Sequence, residues 1–203
     1  MLTLHHVEFE SGENTPLSKV TRGLAGARSR WNELLPVIYR HVGLGGVVGW
    51  DLAPRVRGRS TPQLQVHLHA VIEPYMNRPT RPPRGERPRE VIEGAWERSA
   101  KAGHLRKVTL GRLSHGPEHA IRQIKYASGL TQIGGRLYPK FMRGFDALSR
   151  SSKTPRSGGR VDKPTPHQLR LIHAAYMNEP VFSSRWFGTA GTMRAAGNQS
   201  RGR

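Results

Sequence analysis

Residues 63–74 read QLQVHLHAVIEP, and the alternation in this stretch decides the fold. Strand side chains point to opposite faces in turn, so Leu64, Val66, Leu68, Ala70 and Ile72 share one face, and Gln63, Gln65, His67 and His69 the other. The apolar face calls for helices packed against it. The polar face sets two imidazoles side by side on Cα atoms roughly 6.5 to 7 Å apart, within reach of a single ion. The same spacing suits a hydrated face of a sheet, so at this point a metal site and a wet surface are both open.

Upstream, VVGWDL (47–52) alternates in the same way: Val48, Trp50 and Leu52 lie on one face, Gly49 and Asp51 on the other. It follows the glycines at 43, 45 and 46 and leads into a basic hairpin with Arg55, Arg57 and Arg59. LTLHHVEF (2–9) reads as a first strand that stops at the turn cluster SGEN. From Leu17 the apolar positions Leu17, Val20, Leu24, Ala27, Trp31 and Leu34 recur at threes and fours, which predicts an amphipathic helix ending at Pro36.

Downstream, NRPTRPPRGERPR (77–89) is a Pro- and Arg-rich loop. A helix follows over Glu90 to Lys101 with Ile92, Ala95 and Trp96 inward and Gly103 as its stop. HLRKVTLGRL (104–113) reads as another strand, and PEHAIRQIKYASG (117–129) as a third helix with Pro117 at its start and Ile121 and Ile124 as its apolar stripe. Trp31, Trp50 and Trp96 fit core positions. The expectation is one α+β domain over 1–148, a mainly antiparallel sheet of four to five strands with packed helices. Beyond about Arg150 the composition becomes SRSSKTPRSGGRVDKPTP, too polar to order itself. Residues 149–203 are therefore read as a basic, largely flexible tail with a short helix near 167–177, and with Phe182, Trp186 and Phe187 available to stack on bases or to dock.

The chain has 203 residues, with Lys+Arg 33 against Asp+Glu 14 and a net charge of +19. Such an excess predicts attraction to a polyanion, nucleic acid first. Cys is absent, which excludes disulfides, thiolate catalysis and cysteine zinc sites. Any metal must be held by His, Asp or Glu. No apolar run approaches the roughly 20 residues of a membrane-spanning helix, and the first residues lack the pattern of a signal peptide. The expectation is a soluble, cytoplasmic protein.

The order of these pieces resembles the plasmid-type rolling-circle replication initiators of the HUH endonuclease superfamily. A strand opens LTL; a later strand ends in Asp51; VHLHAVI carries two histidines around an apolar residue; and a helix contains IKYASG. The likeness covers roughly residues 1–130. It implies an RRM-like sheet and a nicking and joining activity on single-stranded or hairpin DNA at a replication origin, with host helicase and polymerase as partners. It implies His67 and His69 as ligands of a divalent ion, Mg²⁺ or Mn²⁺, with Asp51 as third ligand. Tyr126 would be the nucleophile that forms a 5′-phosphotyrosine, and Lys125 would sit by the phosphate.

The chain departs from the family where Gln65 replaces a further His, and where Arg122 stands four residues before Tyr126 in place of a Glu or a second Tyr. An initiation step is thereby better supported than a hydrolytic termination step. Arg55, Arg57, Arg59, Arg78, Arg81 and Arg84 crowd two loops beside the histidine strand and, with Arg122, are candidate contacts to the DNA backbone. His5 and His6, being adjacent, are read as structural. A non-catalytic basic nucleic-acid-binding protein, a decayed initiator, and a tyrosine transposase or relaxase of the same superfamily are the competing readings.

Overall fold

In this computed structural model the described residues are 1–55, 61–74, 87–111, 130–133, 136–139, 164–178 and 185–188, together with Glu118, Ile121, Gln123, Ile124 and Ala127. The elements run β1 (Leu2–Glu10), α1 (Leu17–His41), β2 (Gly43–Arg55), β3 (Gln63–Pro74), α2 (Pro88–Arg98), β4 (Val108–Leu110), β5 (Leu130–Ile133), β6 (Arg136–Pro139), α3 (Pro166–Asn178) and β7 (Arg185–Gly188). The chain is α+β. Its main sheet has the order β4-β1-β3-β2-β7, with every neighbouring pair antiparallel. Elements β1 to β4 with α1 and α2 thus form the interleaved βαββαβ arrangement, in which β3 inserts between the parallel strands β1 and β2. β5 and β6 make a separate two-stranded pair.

The apolar face of β3 is the floor of the core. Leu64, Val66, Leu68 and Ala70 are packed with Val48, Trp50 and Leu52 of β2, with Leu2 and Leu4 of β1, and with the stripe Val20, Leu24, Ala27, Trp31, Leu34 and Ile38 of α1. Ile92 and Trp96 of α2 close one side. The alternation read from the sequence places the β2 and β3 residues correctly, because a two-residue period leaves no choice of face once one face is apolar; the helical period places Val20 to Leu34, and Ile38 lies beyond the helix end it predicted.

Three boundaries differ from the sequence reading. Helix α1 runs through Pro36 to His41. Proline at an interior position removes one backbone hydrogen bond and crowds the carbonyl four residues earlier, at about 3 kcal/mol. The helix continues because Leu34 and Ile38, on either side of Pro36, are both buried in the same stripe. Of the strand expected over 104–113, the described residues 104–111 are regular from Val108 to Leu110, where they pair with Leu2–Leu4, and residues 112 and 113 lie outside the described residues. Helix α2 begins earlier, with Pro88 in its first turn, and ends at Arg98.

Helix α3 lies against α1 and adds Leu171, Ile172 and Ala175 to the core cluster. Its Gln168 is fully buried and donates through Nε2 to Ser11 Oγ at 2.9 Å and to the Gln63 carbonyl at 2.8 Å. Strand β7 pairs with β2 from Gly45 to Val48. These two pieces of the C-terminal stretch therefore belong to the folded unit; the remainder of 149–203 lies outside the described residues. No helix among the described residues is long and apolar enough to cross a membrane.

Candidate metal centre

The face of the sheet away from the helices is polar and yet withdrawn from solvent. His67 and His69 of β3 are 6% and 4% exposed, so the pair is not a wet surface. In the β2–β3 register Asp51 stands directly opposite His67, and Gly49 opposite His69. The residue facing His69 thus has no side chain, and Asp51 reaches across diagonally, its Oδ2 3.6 Å from His69 Nε2.

Asp51, His67 and His69 together offer one carboxylate oxygen and two imidazole nitrogens, all within 4.8 Å of one another. Donors about 2.0 to 2.2 Å from one ion at tetrahedral or octahedral angles stand about 2.8 to 3.6 Å apart, so closing this set takes side-chain movements of about 1 Å or less. Imidazole favours Mn²⁺ and later metals over Mg²⁺, whereas the carboxylate suits either. The donor set fits a divalent ion. His69 is also oriented from behind, since its Nδ1 lies 3.1 Å from Thr3 Oγ1, a hydroxyl that holds the ring and can accept from Nδ1–H when Nε2 faces an ion.

Strand β1 supplies the other wall through a bulge. His5 pairs with His67, but Val7 pairs with Val66, so His6 is an extra residue in the ladder. Before the bulge Leu2 and Leu4 face the helices; after it Val7 and Phe9 do. Both His5 and Glu8, three residues apart, consequently face the polar side. The His5 ring sits 4.4 Å from that of His67, centroid to centroid, and His5 Nδ1 is 3.3 Å from Gln65 Oε1. Gln65 Oε1 is also hydrogen bonded to His67 Nε2, and Gln65 Nε2 donates to Glu8 Oε2 at 3.0 Å.

The bulged His6 turns into the core and is 1% exposed. It meets α1 at Gly26, where a Cβ would come within 2.9 Å of His6 Nε2, so only glycine permits this approach. Arg30, one helical turn on, donates from Nη1 to His6 Nδ1 at 3.3 Å and to the Leu105 carbonyl at 3.1 Å, from Nε to Ser99 Oγ at 3.1 Å, and from Nη2 to the Trp96 carbonyl. Its guanidinium carbon lies 3.5 Å above the centre of the Trp96 ring. Trp96 Nε1 in turn donates to the His5 carbonyl at 3.0 Å. Burial, with smaller contributions from His104 and Arg30, pushes the His6 pKa down to about 3. Burial likewise lowers Arg30 to about 10.

Of the residues singled out in the sequence, the structure brings together Asp51, His67 and His69. Tyr126, Lys125 and Arg122 lie outside the described residues; near them, Glu118, Ile121, Gln123, Ile124 and Ala127 are helical, with Ala127 buried and Ile121 exposed. Arg57, Arg59, Arg78, Arg81 and Arg84 also lie outside them, as does the side chain of Arg55 at the end of β2. His6 is structural, as its position beside His5 implied, whereas His5 faces the polar site. Thr3, Glu8 and the role of Gln65 were missed. Their signal was the phase break in LTLHHVEF, where apolar residues move from even to odd positions.

The fold and site together define a βαββαβ protein with a buried two-histidine, one-carboxylate cluster on the sheet face opposite its described helices. No family model matches the chain, and neither a curated protein nor a solved structure matches it.

Proposed function

We propose that this protein nicks and joins single-stranded DNA through a covalent tyrosyl intermediate, as a rolling-circle replication initiator does. The observation that carries the proposal is the buried Asp51, His67 and His69 cluster on two adjacent inner strands, β2 and β3, of a strongly basic chain. Two imidazoles and a carboxylate withdrawn from water are an expensive arrangement for a surface that only contacts phosphates. Origin-like hairpin DNA is the proposed substrate, and Mg²⁺ or Mn²⁺ the proposed ion.

In this reading Asp51, His67 and His69 hold the ion, which when bound neutralises charge on the scissile phosphate. Tyr126 Oη attacks phosphorus and releases its proton to water; the bond to the 3′ oxygen breaks, that oxygen takes a proton from water and leaves as a 3′-OH, and the 5′ phosphate remains on the tyrosine. Lys125 sets a positive charge beside the phosphate, and the arginines of the two loops hold the backbone on either side. Arg122 can act neither as base nor as nucleophile, so the reading favours a single transesterification, reversible by the 3′-OH, over hydrolytic release.

The test is incubation of the full chain with labelled single-stranded and hairpin DNA and Mn²⁺ or Mg²⁺, followed by denaturing gels. The expected result is a covalent protein–DNA band that needs metal and is lost in Tyr126→Phe and in His67→Ala. DNA binding without any such band, unchanged by either substitution, would instead assign a purely binding role.

A further inference from the structure

Resting on the metal reading above, we propose that Glu8 and Gln65 act as a positioning pair that fixes which nitrogen of His67 faces the ion: Nδ1 for His67, against Nε2 for His69. The argument starts from the amide. Asn and Gln side chains are ambiguous in orientation until a neighbour decides it, and here the neighbour is a carboxylate. An ionised Glu8 accepts hydrogen bonds only, so the Gln65 NH₂ must be the group that meets Glu8 Oε2 at 3.0 Å. The Gln65 carbonyl oxygen is thereby turned to the two rings behind it.

That oxygen only accepts. The ring nitrogens that reach it, His67 Nε2 and His5 Nδ1, must therefore both carry protons. In a neutral imidazole one nitrogen bears the proton and the other the lone pair, so His67 presents its lone pair at Nδ1. His69 is held the other way round. Its Nδ1 meets Thr3 Oγ1 at 3.1 Å, which leaves Nε2 toward Asp51 at 3.6 Å.

Side-chain reach agrees with this division. Asp51 and His67 are direct partners across β2 and β3, and a carboxylate oxygen and an imidazole Nδ1 both stand two bonds beyond Cβ, at the same height above the sheet. His69 is diagonal to Asp51 and needs the longer reach of Nε2. The bulge is what makes the pair available, because without the extra residue at His6 the side chain of Glu8 would point into the helical core.

The experiment is long-range ¹⁵N–¹H NMR of the imidazole rings in the full chain, first metal-free and then with Zn²⁺, a diamagnetic probe. In the metal-free protein the expected signature is protonated Nε2 on His67 and protonated Nδ1 on His5. Glu8→Lys replaces the acceptor by a donor at a half-buried position; it should turn the Gln65 amide over and invert His67 to the Nδ1-protonated tautomer, while Glu8→Gln, which can still accept, keeps the original one. With Zn²⁺ the ligation shift should fall on His67 Nδ1 and His69 Nε2. Affinity should drop about 10- to 100-fold in Gln65→Leu, the usual effect of removing such a partner.

A His67 ring already protonated at Nδ1 in the metal-free wild type, or insensitive to Glu8→Lys, overturns the proposal, as does ligation through His67 Nε2. Absence of any Zn²⁺ effect on wild type is a different failure: it removes the metal reading, while the metal-free tautomers still report on the Glu8 and Gln65 pair.

Discussion

Acid should unfold this protein through His6, and the size of the effect can be worked out. The imidazole is buried between Gly26 and Arg30 of α1, the Trp96 ring of α2 and the His104 ring, whose centroid is 4.4 Å away. Arg30 can only donate, so His6 Nδ1 must accept, and protonating that nitrogen breaks the bond and sets two cations against each other. With a pKa of about 3 when folded and the ordinary value near 6.5 when unfolded, the unfolded chain binds the extra proton first. The stability contributed by a neutral His6 is therefore fully present above about pH 6.5 and is lost as pH falls toward 3. At about 1.4 kcal/mol per pH unit, the loss between pH 7.5 and pH 5 is about 2 kcal/mol. With a urea m-value of about 2 kcal/mol per M, the midpoint falls by about 1 M. The assay is urea unfolding of wild type and His6→Gln, whose amide oxygen can still accept from Arg30 but cannot become charged. Comparing the two at both pH values cancels the carboxylates common to them. If both lose stability in parallel, within about 0.5 kcal/mol, the linkage argument is wrong.

Other expectations follow from the same contacts. Arg30→Met should cost about 2 to 5 kcal/mol, because it takes the Arg30 donor from the Leu105 carbonyl and from His6 Nδ1 in the interior, while the Trp96 carbonyl keeps its bond from Ser99 Oγ at 3.0 Å; thermal unfolding of the variant checks this. Gly46→Ala should be as damaging, since its Cβ would fall 1.9 Å from the Val71 carbonyl oxygen and force β2 from β3; circular dichroism and unfolding of the purified variant report it. Asp51→Asn should weaken Mn²⁺ binding by at least tenfold in calorimetry while the fold persists, and binding as tight as in wild type would remove Asp51 from the ligand set. Affinity for single-stranded DNA should fall steeply with salt, with a slope of about −0.7 per phosphate contact on a log–log plot, and should do so equally in Tyr126→Phe.

The parts of the fold that were legible in the sequence were those with a strict period. Alternation in β2 and β3 placed Val48, Trp50, Leu64, Val66 and Leu68 in the core and put Asp51 on the polar face of one strand and His67 and His69 on that of the other; that the three belong to one group came from the family resemblance, because two separate periods do not say which strands pair. The bulge at His6 was not, because a single inserted residue looks like noise against a two-residue period until its partner strand is known. Pro36 was misread for a related reason: local backbone preference argues for a stop, and only the burial of Ile38 overrides it. The Arg30 cluster was hidden because an arginine in a helix reads as a surface residue, and nothing local announces that Trp96, Ser99 and Leu105 will close over it.

The bond between Gln168 and Ser11 joins residues 157 apart in the chain, and it sets a timetable for synthesis. At about 5 to 20 residues per second, roughly 8 to 30 s separate the emergence of Ser11 from that of Gln168. Through that interval the α1 surface destined for Leu171, Ile172 and Ala175 has no cover. A nascent chain of this kind depends on the ribosome's surroundings to keep that apolar strip from other partners, and the last third of the chain finishes a core that the first third begins.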